Sequence, residues 1–126
     1  MNTDKKTYEL YSGNERMIAE KIQQRRYQML IHSAIYYNMD TSIISDNQWD
    51  MWAVELKTLQ EHYPDIAKNV MLYEQFKDWD ASTGAFLPIN EEWVIQLAKR
   101  VLSIHNKPRS PTAVEKKTVV RKGRLF

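Results

Sequence analysis

Two carboxylates four residues apart, Asp46 and Asp50, flank the indole of Trp49. On a helix that turns about 100° per residue, Asp46, Asp50 and Ala53 fall beside an apolar stripe of Trp49, Trp52, Leu56, Leu59 and Tyr63, with Trp49 on the border. Such a wall is apolar on one side and accepts hydrogen bonds on the other, which suits the hydroxyls of a sugar. Each residue also has a plainer role. Asp46 is a favourable charge in the first turn of any helix. Trp52, Leu56 and Leu59 at helical spacing are core residues.

Positioning this wall requires a helix start just before it and a partner helix behind it. Ser45 with Gln48 three residues on fits a capping box, so a helix is expected from about Asp46. Upstream, the chain reads as helix from Glu15 to Asn38, after a stop and cap at Ser12-Gly13-Asn14. Its first half is amphipathic through Ile18 and Ile22, with Lys21, Arg25 and Arg26 turned outward. Its second half, from Tyr27 through Met29, Leu30, Ile31, Ala34, Ile35, Tyr36 and Tyr37, is apolar nearly all round and expected to be covered. Asp40-Thr41-Ser42 is short enough to fold the two helices into an antiparallel hairpin.

Pro64 ends the second helix and can open a third, carrying Ile66, Val70, Tyr73 and Phe76 at helical spacing until the loop 79–84. A fourth helix is expected with Asn90 as cap, Ile89 and Val94 as a hydrophobic staple, and Val94, Leu97, Val101 and Ile104 inward. The fold class predicted is all-α: a small helical bundle over residues 1–105, built on the hairpin, followed by a basic tail over residues 106–126.

Composition supports that division and narrows the function classes. The 126 residues are 43% hydrophobic and 27% charged, with three Gly and four Pro, which suits a few long helices better than a turn-rich sheet. Without Cys there is no disulfide scaffold or thiolate metal site, and His32, His62 and His105 show no metal-binding spacing. A helix histidine held by a neighbour explains His32, and the helix dipole explains His105. No apolar run approaches a membrane span and MNTDKKTYEL has no signal-peptide core, so a cytoplasmic protein without membrane contact is expected. The tail holds seven Lys or Arg against one Glu, about +6, leaving 11 basic against 15 acidic residues in 1–105.

The stretch from His32 to Pro64 resembles the N-terminal domain Ia of the bacterial NAD-dependent DNA ligases. That family carries a pattern close to Tyr-Tyr/His-x-x-Asp-x-Pro-x-Ile-Ser-Asp-x-x-Tyr-Asp, then Glu-Leu, Leu and His-Pro. Here Tyr36, Tyr37, Asp40, Ile44, Ser45, Asp46, Asp50, Glu55, Leu56, Leu59 and Pro64 follow in that order without a gap. The resemblance spans roughly residues 20 to 66.

It implies a helical domain that binds the nicotinamide mononucleotide (NMN) half of NAD and presents the dinucleotide to a separate adenylation domain. It implies Tyr36 and Tyr37 as the aromatic pair near the ring, Asp46 and Asp50 as the acids that engage the nucleotide, and His32 at a basic position one turn earlier. Trp49 replaces a Tyr, keeping stacking and losing a hydroxyl; Ser42 replaces the connecting Pro; and His62-Tyr63-Pro64 replaces His-Pro. The family's Lys-x-Asp-Gly nucleophile is missing, since Lys77-Asp78-Trp79-Asp80 has no Gly. The chain is therefore not expected to be a ligase by itself.

Two functions are consistent with these residues. One is a stand-alone, non-catalytic module that binds NAD or NMN through Tyr36, Tyr37, Asp46, Trp49, Asp50 and His32, without a metal. The other is an interaction protein that grips a protein or nucleic acid with its helical surface or with Lys107, Arg109, Lys116, Lys117, Arg121, Lys122 and Arg124. The tail has no interleaved Tyr or Trp, so it would attract phosphates without stacking on bases. A free-standing domain of this kind suits a compact viral or mobile-element genome, as a phage accessory protein would. Enzymatic chemistry is not expected: no nucleophile is paired with a base and no Gly-rich loop could cradle phosphates.

Overall fold

The computed structural model describes residues 13–107. They form five helices: α1 (Gly13–Asn38), α2 (Asp46–His62), α3 (Pro64–Lys68), α4 (Tyr73–Phe76) and α5 (Glu92–Asn106). There is no strand among the described residues, in agreement with the all-α expectation. None of their helices is long and apolar enough to cross a membrane.

Helix α1 is the axis of the bundle and packs against α2, α3 and α5. It begins two residues before the expected Glu15, at Gly13, whose φ of +51° is available to glycine at little cost. Its partners along α2 run backwards: Arg26 meets Gln60, and further along the His32 ring lies 5.7 Å from that of Trp52. That reversed order is the antiparallel hairpin. Asp40 turns the chain with φ 53°, and the Ser45 half of the capping box is formed, its hydroxyl accepting from Gln48 N at 3.0 Å. Trp52, Ala53 and Leu56 enter the core, while Trp49 and Leu59 are half-buried. Tyr63 leaves the stripe, because it caps α2 and lies in solvent.

Arg26 overturns an expectation. The sequence pattern places it on the outer face, yet it is 0% exposed. Its guanidinium donates to Ala67 O (3.1 Å), Val70 O (2.9 Å) and Met71 O (2.8 Å), and its Nε donates to Gln60 Oε1 (2.9 Å). These carbonyls lie at and just beyond the end of α3, where a helix leaves acceptors unpaired and welcomes a cation. The same contacts explain why the expected third helix is two short ones. Carbonyls turned toward Arg26 cannot continue an i→i+4 ladder, and the chain reverses through Leu72 at φ 74° before α4 begins.

Helix α5 starts at Glu92 with Glu91 as N-cap and no side-chain cap bond, so Asn90 does not cap it. Its buried face is Val94, Ala98 and Val101, whose 4–3 spacing continues to His105 and leaves Ile104 exposed instead of inward. Tyr36 and Tyr37 also depart from expectation. They are 56% and 46% exposed, because the end of α1 projects past the cover that α2 provides.

Candidate functional site

The projecting end of α1, the 42–45 connection, the first turn of α2 and residues 82–84 enclose a cleft of about 300 Å³. All six residues singled out in the sequence line it: His32, Tyr36 and Tyr37 from α1, and Asp46, Trp49 and Asp50 from α2. The helical spacing explains this convergence. Residues 32, 36 and 37 lie on successive turns at one end of the antiparallel pair, and 46, 49 and 50 lie on the opposing first turn. Asp46 and Asp50 are exposed, and Trp49 is half-buried. Tyr36 and Tyr37 meet edge to face, with centroids 4.9 Å apart at 88°.

The wall formed by residues 82–84 was missed. Phe76 and Trp79 anchor it: the Trp79 ring packs edge-on against Phe76 at 5.2 Å and against Trp49 at 6.2 Å, and its Nε1 donates to Thr83 O at 2.8 Å. Asp80 accepts from both the backbone N and the hydroxyl of Ser82, which draw its carboxyl below the usual range. Tyr37 and Thr83 share a hydrogen bond of 2.9 Å between hydroxyls, joining the wall to α1. Gly84 then lies against Ser33 so closely that a Cβ would sit 1.9 Å from Ser33 Oγ. Gly84 was the available signal, since a glycine after a small polar run marks a close backbone approach.

Two buried polar residues form the floor. His32 is buried, and burial, with the charge of His105 adding to it, lowers its pKa from 6.5 to about 4. The imidazole is therefore neutral at neutral pH. Ser33 is 1% exposed, and its hydroxyl has no hydrogen-bond partner among the described residues. Arg25 does not line the cleft: it pairs with Glu55 at 2.9 Å and lies 5.2 Å over the Trp52 ring. Among the described residues that line the cleft, none is Lys or Arg. No group of three or more His, Asp or Glu among the described residues converges in a way that could hold a metal ion.

Of the basic residues proposed for macromolecular contact, Lys107 follows α5 and is exposed. Arg109, Lys116, Lys117, Arg121, Lys122 and Arg124 lie outside the described residues.

Comparison with known proteins bears on the same segment. No solved structure matches the chain. A DNA ligase of Fusobacterium nucleatum is 31% identical over 96 residues, covering 76% of this chain and 13% of the relative, so the chain spans a small part of that protein's length. The family model described as "DNA ligase-like, N-terminal NAD+-binding domain" matches residues 15–69, which include α1, α2 and all six cleft residues read from the sequence. Over residues 15–69 this chain is similar to the DNA ligase-like, N-terminal NAD+-binding domain family.

Proposed function

We propose that the chain is a non-catalytic module that binds NAD through its NMN half, in the cleft between the end of α1 and the start of α2. One observation carries this: the six side chains that the family pattern picks out line a single cleft, although they come from two helices and 19 positions of chain (32 to 50). Its volume of about 300 Å³ is at the lower end of ligand sites and suits one nucleotide. The residues present fit such a guest. Tyr36, Tyr37 and Trp49 offer aromatic faces and edges to a planar ring, Asp46 and Asp50 accept from ribose hydroxyls, and neutral His32 and Ser33 supply polar atoms at depth. A nicotinamide nucleotide brings the cationic ring; the chain's own residues bind and orient it. The adenosine half is left to solvent or to another protein surface.

Titration calorimetry with NMN and NAD tests this. Asp46→Ala and Asp50→Ala should each weaken binding by about 1–3 kcal/mol, the loss typical of a charged hydrogen-bonding partner. Both should spare the melting midpoint, because the two carboxylates are exposed and off the core. A second reading draws on a different face. Met51 and Val54, both exposed, border a shallow apolar depression with Trp52 and Arg25, as an interaction protein would present to a partner. Loss of a partner on Met51→Ser or Val54→Ser, with no nucleotide binding in the wild type, is the outcome that favours it.

A further inference from the structure

The cleft contains one polar group that the fold leaves unused. Ser33 is buried, borders the cleft and lies under Gly84, and its hydroxyl has no hydrogen-bond partner among the described residues. Neighbouring hydroxyls differ: Thr83 Oγ1 is engaged by Tyr37 OH and by Ala85 N, and Ser42 and Ser45 are bonded to backbone. A buried unpaired hydroxyl costs stability, so an arriving group that pairs with it regains what folding left unmade. The charge of the lining is equally one-sided, with two carboxylates, Asp46 and Asp50, and no Lys or Arg among the described residues that form it.

We infer that Ser33 and a described lining that holds no Lys or Arg make this cleft selective for the carboxamide form of a pyridine nucleotide over its carboxylic acid form. The inference rests on the nucleotide-binding function proposed above and names the chemical class it takes. A carboxamide is neutral and both donates and accepts, as a serine hydroxyl does, so the two can pair in either sense. With the amide neutral, the ring keeps a net positive charge, which two carboxylates and three aromatic rings attract. Nicotinate is ionised at neutral pH. Its carboxylate would enter a space whose described residues offer no Lys or Arg to pair with it, beside Asp46 and Asp50, and would cancel the charge of the ring. The phosphate is common to both nucleotides and stays at the exposed mouth.

The test is a pair of calorimetric titrations at pH 7.5, with NMN and with nicotinic acid mononucleotide, on the wild type and on Ser33→Ala. The wild type should bind the amide at least tenfold more tightly, one lost charge-compatible hydrogen bond being worth about that factor. Ser33→Ala should weaken NMN by roughly tenfold and narrow the gap between the two ligands, while its melting midpoint holds or rises because a buried unpaired hydroxyl has gone. A structural role for Ser33 would instead lower the midpoint and leave the ligand ratio alone. Equal binding of the two nucleotides by the wild type, or unchanged NMN affinity in Ser33→Ala, overturns the selectivity and leaves the nucleotide site standing. Binding of neither removes both.

Discussion

Helix α1 buries three polar side chains, Arg26, His32 and Ser33, and the fold treats Arg26 and Ser33, about two turns apart, in opposite ways. Arg26 is surrounded by three backbone carbonyls and the Gln60 amide oxygen, all within 3.1 Å. Ser33, equally buried, has no partner among the described residues. At one end of the helix polar chemistry is spent on holding α1, α2 and α3 together. At the other end a buried hydroxyl beside the cleft is left without a partner among the described residues. The difference separates a part of the molecule built for stability from a part that gives up some stability to remain available.

The sharpest way to break this contrast is Arg26→Met. Removing the charge strands several buried carbonyls at once, and the loss should approach the about 3–5 kcal/mol typical of a broken buried charged network. Urea denaturation reads it directly. A loss below about 1 kcal/mol would mean that the carbonyls find water, and the two ends of α1 would no longer differ.

The next effect is pH-dependent and belongs to the neighbour of Ser33. His32 has a pKa of about 4 in the fold against an ordinary 6.5, so as pH falls the unfolded chain takes the proton first. The corresponding stability is full above about pH 6.5 and is lost progressively down to about pH 4, amounting to about 3 kcal/mol over that window. His32→Gln, which cannot charge, should lose less between pH 7 and pH 4.5 than the wild type. Parallel melting curves of equal pH slope would show that the end of α1 near the cleft is not dry.

The smallest effect is expected from the basic C-terminal segment. Deleting residues 107–126 should leave the melting midpoint almost unchanged, since it offers few apolar side chains for burial. If that segment binds nucleic acid, affinity should fall steeply with salt and disappear on truncation.

Much of the helical plan was legible because it depends on local signals. Ser45 capped α2, Pro64 ended it, and the spacing of Trp52 and Leu56 put them in the core. The burial of Arg26 was not legible. Beside Arg25 and Lys21 it reads as a solvated charge, and only the tertiary arrival of Ala67, Val70 and Met71 makes a basic side chain the best occupant of that position. The exposure of Ile104 was readable in principle, since Val94, Ala98 and Val101 give a stripe that ends at His105, but alanine carries a weak hydrophobic signal. At the cleft, the α1 and α2 residues followed from a motif confined to one hairpin. Ser82, Thr83 and Gly84 return from 33 or more positions beyond Trp49, and no periodicity announces such a return.

The most direct measurement on the central claim is a titration of the wild-type chain with NMN, followed by calorimetry and by the melting midpoint. Binding to the folded state alone should release or absorb measurable heat and raise the midpoint with ligand concentration, by about 2.7 kcal/mol of added stability at one hundred times the dissociation constant. Neither heat nor a shift at millimolar NMN and NAD would contradict the account, and the cleft between Tyr37 and Asp46 would then be a fold feature without a nucleotide to hold.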